Sequence, residues 1–443
     1  MSQSVDFIHG LTRQDLPEPI VDAAIRALID TLGVAVAGSQ TRLSGIIHDH
    51  AAQQFGAGSN QPASLWTDGR PVSPAGAALA NGMTIDSVDA HDGQKLTKGH
   101  VGCGVIPALM ALAESRGKLD SQELLTSLVI GYEIGSRAGI ALHATVEDYH
   151  TSGAWVALAT AGLGARYLGL NTQQSRHAIG IAEYHGPRSQ MMRTIDHPTM
   201  VKDGSGWGSM AGVSAAYLAA EGFTGAPAIS MEADEVRDIW SDLGKRWYIT
   251  DQYIKLYPVC RWAQPPVEAA LELQKQHGFS VDAIKSIRIE TFHEAKRLGT
   301  KHPKSTEEAQ YSLPFSVAAA LVHGTIGAQH IADDALDNPA VGALQDLIDI
   351  DELDEFNAVF PEHRVARAHL LLKDGSVLVS EPTEARGDPE NPVGPDVIAD
   401  KFMGLVAPVL GATAADNLMD LITGLKSQPD CRELLAALAR AQN

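Results

Sequence analysis

The sequence predicts a mainly α protein, a large all-helical domain carrying a smaller α+β domain. Three observations lead there. Through most of the N-terminal half, apolar residues recur every three or four positions, the period of a helix packed on one side. After about Pro258 the texture changes, and residues 284–292 (IKSIRIETF) alternate apolar with polar side chains, as a half-buried strand does. Past the polar, Pro- and Gly-rich stretch at 386–395, helical periodicity returns. The expected division is therefore a helical domain over 1–258, an α+β lid over 259–395, and C-terminal helices over 396–443 that rejoin the helical domain.

In order along the chain, residues 20–37 open the helical pattern and Gly38 supplies a stop. Residues 121–142 and 153–170 repeat it, each beginning beside Ser or Thr. Residues 205–220 (SGWGSMAGVSAAYLAA) continue the style, and Gly222-Phe223-Thr224-Gly225 ends it with loop chemistry. These helices are rich in Ala and Gly, which lets their axes approach closely. Residues 265–276 read as a helix. Residues 366–372 and 377–380 flank the turn Lys373-Asp374-Gly375-Ser376 and read as a hairpin. Residues 397–406 and 414–442 close the chain as helices.

Composition narrows the function. The 443 residues are 44% hydrophobic and 20% charged, which fits a folded globular protein and not a disordered or fibrous one. A net charge of −20 repels polyanions, so nucleic acid is not an expected partner. Three cysteines, Cys103, Cys260 and Cys431, lie far apart with no CxxC pair, so neither a disulfide framework nor a thiolate zinc site is expected. No signal-peptide pattern opens the sequence, and no apolar run approaches the ~20 residues of a membrane span. A cytoplasmic protein, away from membranes, is expected.

A dense polar stretch spans residues 86–100 (DSVDAHDGQKLTKGH), between two Ala-rich helical segments. Loops held between rigid elements often carry catalysis, although a solvated loop with capping aspartates has the same composition. Asp86, Asp89, His91 and Asp92 include metal-ligating types, but their spacing matches neither HExxH nor an EF-hand, and no metal is expected. His150 precedes Thr151 and Ser152, which are placed to cap the helix from Gly153, and the amides of that helix would attract an anion. Glycines around Lys202 allow a tight turn that frees its ammonium for a carboxylate. Lys255 and Arg261 flank Tyr257-Pro258 at the domain junction, as in a hinge or an anion clamp. Cys260 sits beside an aromatic without a nucleophile context, and no GxSxG elbow occurs.

These segments, in this order, resemble the MmgE/PrpD family, which includes 2-methylcitrate dehydratase, cis-aconitate decarboxylase and iminodisuccinate epimerase. The resemblance runs through Asp30-Thr31-Leu32-Gly33, Asn81-Gly82, His100, Gly153, Lys202, Gly222-Phe223-Thr224-Gly225 and Lys255-Leu256-Tyr257-Pro258-Val259-Cys260. It implies an MmgE/PrpD-like helical domain with an α+β lid, a homodimer, an active site between the two domains, and no cofactor. Carried over residue by residue, it implies catalytic roles for Asp89, His100, His150, Lys202 and Lys255. Substrate contacts are expected from His91, Thr151, Tyr257, Arg261 and Gln264. The sequence departs from the family at His91-Asp92, where an Asp-Asp pair is usual, at Gly93, where a threonine is usual, at Gln264 for a histidine, and at Phe315 for the tyrosine of decarboxylase-like members.

The shared chemistry implied is proton movement at a carbon beside a carboxylate, where a base must be positioned and enolate-like charge stabilised. The expected function is a dehydratase-like lyase acting on a small di- or tricarboxylate. Its acid and base are His150 and His100, its carboxylate anchors Lys202, Lys255 and Arg261, and Asp89 orients a neighbour. An epimerase of an amino-polycarboxylate is the alternative within enzymes. A noncatalytic carboxylate-binding protein is the alternative outside them.

Overall fold

The computed structural model describes residues 2–58 and 61–440. Its centre is the helix Glu18–Gly38, whose second residue is proline, a residue with no N–H to leave unpaired in a first turn. That helix is buried almost all round because helices pack on every side of it. Pro74–Asp86 and Ser121–Thr145 come from the N-terminal half, and Pro395–Leu410 comes from the far end of the chain. Gly33 permits the last of these contacts, since a Cβ there would lie 2.9 Å from Phe402 Cδ2.

Small residues set the other close crossings. Ser205–Ala220 lies against Gly153–Leu168 and Pro74–Asp86. At the crossing with the latter, a Cβ on Gly82 would meet Gly206 Cα at 2.7 Å. The Ala/Gly richness seen in the sequence is thus the condition for this packing.

In the α+β unit, the strand Ile284–Thr291 is central. It pairs in parallel with Ile348–Glu352 and antiparallel with Val365–Leu372, with Ile287 opposite Ile348 on one side and Leu370 on the other. Val377–Val379 completes the expected hairpin, and Thr383–Glu384 adds a short pairing to the start of Val365–Leu372. The helices Gln264–His277 and Leu313–His323 pack together, the first also against the sheet. The strand Ile348–Glu352 is absent from the sequence expectation: in IDIDE the aspartates alternate with only two isoleucines, too short a pattern to separate from a loop.

The helical periodicity expected over 414–442 is carried by two helices, Ala412–Gly424 and Arg432–Leu438. Pro429 lies between them and cannot donate the N–H that a continuous helix needs. Its last two residues, 441 and 442, lie outside the described residues. Among the described residues no helix is long and apolar enough to cross a membrane. One continuous apolar core includes Leu28 and Phe402 of the helical body together with Ile287 and Leu370 of the sheet.

Candidate active site

The polar connection between Pro74–Asp86 and Gly102–Arg116 is not a solvated loop. Asp86, Asp89, His91, Asp92 and His100 are all buried, so their environment must supply what water would have supplied. Three parts of the chain hold it. Ser152 Oγ of the helical body accepts from His100 N at 2.9 Å. Tyr253 pairs its backbone with Gly93 in both directions, at 2.7 and 3.2 Å. Gln310 of the α+β unit accepts from Asp89 N at 3.1 Å. Gly93 has no room for a side chain, since a Cβ would lie 2.7 Å from His100 Nδ1. The family's usual threonine would therefore collide with the imidazole here.

Inside this frame one ligand atom each from Asp89, His91 and His100 lie within 4.8 Å of one another. Lys255 Nζ forms an ion pair with Asp89. Lys202 Nζ donates to Gln310 Oε1 at 2.6 Å and lies 4.8 Å from the centre of the Tyr311 ring. Lys202 itself has a φ of 47°, a left-handed backbone that costs free energy for a non-glycine residue and recurs at functional sites. Gln310 thus holds both the Asp89 backbone and the Lys202 ammonium, while its Nε2 donates to Ser87 O and Thr306 Oγ1, both at 3.0 Å.

The electrostatics follow from burial. Burial pushes Asp89 up, but the charges of Lys255 and Lys202 outweigh it and hold the carboxyl well below its ordinary value. Burial pushes Lys255 down, and Asp89 more than restores it, so the ammonium persists. Burial and then Lys255 lower His100, leaving a neutral imidazole at neutral pH. Burial and then His100 lower His91 further, and neither of its ring nitrogens has a hydrogen-bond partner. Burial and the neighbouring Asp203 raise Asp86 to about 7, so it retains a proton to near-neutral pH; its Oδ1 stands 3.5 Å from His91 Nε2.

Two groups here bring metal-ligating atoms together, Asp89/His91/His100 and Asp86/His91/Cys103. Neither suits a dication. Asp89 is already neutralised by Lys255, the charge of Lys202 adds to the positive field, and burial pushes the Cys103 thiol well above its ordinary value. A small anion fits the charges better.

The other expected site residues divide. Thr151 and Lys202 both line a cavity of about 400 Å³, with Gln190, Arg193 and His197 around it. His150 is half-buried beside Thr151, bridged through its backbone to Gln190. Its Nδ1 meets Asp148 O at 2.9 Å and its backbone N donates to His143 Nε2 at 3.0 Å, so its hydrogen bonds are local. Ser152 does not cap the Gly153 helix: its hydroxyl donates to Asp203 Oδ2 at 2.9 Å, and Gly153 N already donates to Asp203 O. That helix start therefore offers less to an anion than its sequence suggests.

Arg261, expected to hold a ligand carboxylate, is instead committed to the chain: Asp388 lies 2.9 Å from its Nη2, and it donates to Gln264 Oε1, Arg386 O and Ala385 O. Gln264 is likewise occupied, donating to Tyr257 O and Val259 O. The Tyr257 hydroxyl turns away to Glu268 at 3.2 Å. Burial pushes the Cys260 thiol up to about 12, as befits an inert core cysteine. Sequence reasoning missed Gln310, Tyr311, Asp203 and Asp388. Asp203 follows Lys202 directly, which was a usable signal; the other three had none, because their partners are distant in sequence.

Imidazoles and ammonium groups thus converge where the helical body meets the α+β unit. The chain belongs to the MmgE/PrpD family: residues 2–242 match the MmgE/PrpD N-terminal domain and residues 257–426 the MmgE/PrpD C-terminal domain. It is similar along nearly its whole length to several relatives. Cis-aconitate decarboxylase of Homo sapiens is 25% identical over 97% of this chain and 92% of its own. Cis-aconitate decarboxylase-like protein oryM of Aspergillus oryzae is 23% identical over 98% and 96%. Cis-aconitate decarboxylase of Aspergillus terreus is 22% identical over 99% and 95%.

Proposed function

We propose that the chain is a lyase that moves a proton at a carbon beside a carboxylate of a small di- or tricarboxylate. One observation carries this reading: a neutral, buried imidazole, His100, stands in a cluster with two lysine ammonium groups. The name shared by the relatives supports the lyase class and a tricarboxylate substrate.

In this mechanism His100 is the base. Its Nδ1 faces the Asp92 carbonyl at 2.5 Å, which fixes the proton on Nδ1 and leaves the lone pair on Nε2. Nε2 takes the substrate proton, the C–H electron pair passes into the adjacent carboxylate as an enediolate, and Lys202 and Lys255 meet that charge. Asp203 Oδ2, 3.9 Å from Nε2, stabilises the imidazolium formed. In elimination, the leaving group departs from the neighbouring carbon with a proton from an acid. Asp86, raised to about 7, and His150, at the rim beside Thr151, are the two candidates for that acid.

The test is proton NMR in deuterated water on purified protein, with cis-aconitate and a panel of hydroxy- and amino-polycarboxylates. An alkene appearing from a hydroxy acid identifies dehydration, a shortened labelled product identifies decarboxylation, and label at an intact stereocentre identifies epimerisation. His100→Asn is expected to lower kcat by about 100-fold or more while preserving the circular dichroism spectrum. Tight polycarboxylate binding without turnover or exchange across the panel would make the protein a noncatalytic binder instead.

A further inference from the structure

Two arginines lie against the ring of Tyr253, and the fold treats them differently. Arg261 lies 4.7 Å from the ring centre and is 4% exposed; it has Asp388 and three further oxygen acceptors, as described above. Arg364 lies 5.4 Å from the same ring centre and is 3% exposed, yet its Nε and Nη1 have no hydrogen-bond partner. Among the described residues no carboxylate comes within 4.0 Å of its guanidinium.

The neighbouring acids are not simply out of register. Glu384 accepts from the backbone N of Arg364 at 3.3 Å and from His363 Nδ1 at 3.3 Å, so it holds the main chain and not the guanidinium. Glu362 is exposed, and its charge is felt at Lys98. Lys98 is depressed by burial first and by Arg364 second, against the opposing charges of Glu362 and Glu294, so Arg364 is felt there as a charge. A buried cation without a partner is costly, and a fold that satisfies Arg261 so fully has no packing reason to leave its neighbour empty.

Position completes the argument. Arg364 immediately precedes the lid strand Val365–Leu372. The Tyr253 ring it faces lies edge-on to His100, 6.4 Å between centres, so one aromatic ring separates the guanidinium from the proposed base. We propose that Arg364 is a substrate-binding residue contributed by the lid, whose planar fork receives a carboxylate of the ligand seated on the His100 cluster. A guanidinium presents paired donors that match a carboxylate's two oxygens, which an ammonium does not. This assignment rests on the polycarboxylate reading above and adds to it the residue that recognises a second carboxylate, away from the reacting carbon.

The experiment measures binding of propane-1,2,3-tricarboxylate, an unreactive probe, by calorimetry to the wild-type protein, Arg364→Gln and Arg364→Lys, together with melting temperatures without ligand. Arg364→Gln is expected to weaken binding about tenfold or more, with Arg364→Lys in between, because it keeps the charge and loses the fork. Without ligand, Arg364→Gln is expected to melt at the same temperature or higher; a clear fall would show that the arginine has a partner within the protein and would overturn the proposal. With cis-aconitate, the variant's KM is expected to rise by more than its kcat falls. A wild-type protein that binds the probe, with Arg364→Gln binding it equally well, overturns the Arg364 assignment and leaves the proton-transfer reading standing. Binding that depends on Arg364, with no turnover or exchange on any substrate, overturns that reading and leaves Arg364 standing; no binding of any polycarboxylate overturns both. Sulfate is expected not to raise the melting temperature, and a sulfate-induced rise abolished by Arg364→Gln would replace the carboxylate site with a general inorganic-anion site.

Discussion

In the proposed mechanism the contact of His100 Nδ1 with Asp92 O selects the reactive tautomer, and burial followed by Lys255 lowers the basicity. Both causes disfavour the imidazolium, so the folded-state pKa lies below the ordinary 6.5 and the ring loses its proton at lower pH than an exposed histidine would. A base is active unprotonated. The acidic limb of kcat/KM is therefore expected to have its midpoint below pH 6.5, and a midpoint clearly above 6.5 would show that His100 is not the base. That residues 86–100 gather three acids, two histidines and two lysines between helical segments was legible in the sequence. The state of each group was not. Burial raises both aspartates, three positions apart, yet Asp89 is held ionised and Asp86 keeps a proton to near-neutral pH, because one meets Lys255 and the other meets Asp203.

Among the elements, Glu18–Gly38 and Pro395–Leu410 show how two ends of a chain are tied together. Phe402 fills the space left by Gly33, and Lys401 reaches inward to pair with Asp30 and donates to Ala90 O at 2.6 Å. The C-terminal helix thus holds the main chain of the active-site connection from behind. Replacing Phe402 with Ala is expected to destabilise the protein by about 3–5 kcal/mol, the cost of an unfilled aromatic-sized cavity, measured by denaturant unfolding. A loss under about 1 kcal/mol would mean that the contact is not a packing anchor. Both helices were legible from their periodicity, as was the hairpin from its alternation and turn. The parallel strand Ile348–Glu352 was not, because a short edge strand owes its existence to the partner already formed, Ile284–Thr291.

Across the whole molecule, the apolar core runs without a break from the helical body into the sheet, and Asp388 receives both Arg261 at 2.9 Å and Lys95 at 3.4 Å at the junction. Body and lid are therefore expected to unfold together, in one calorimetric transition whose midpoint matches the loss of circular dichroism. Two separated transitions would show that the shared core does not couple them. Against a net charge of −20, Lys202, Lys255 and Arg364 are buried, and these are the groups that would meet an acidic ligand in the proposed reading.

By itself the sequence determined the helical and strand periods, the small residues that let helices cross closely, and the stretch of chain where polar groups accumulate. Each of these is written within a few residues, so local spacing carries it. Only the tertiary structure decided which charges find partners. Lys255 meets Asp89 across 166 positions and Lys202 meets Gln310 across 108, whereas among the described residues the Arg364 guanidinium meets no carboxylate. Pairing depends on where distant segments come to rest, and burial then fixes its consequences, because a charge removed from water takes its protonation from whatever stands beside it.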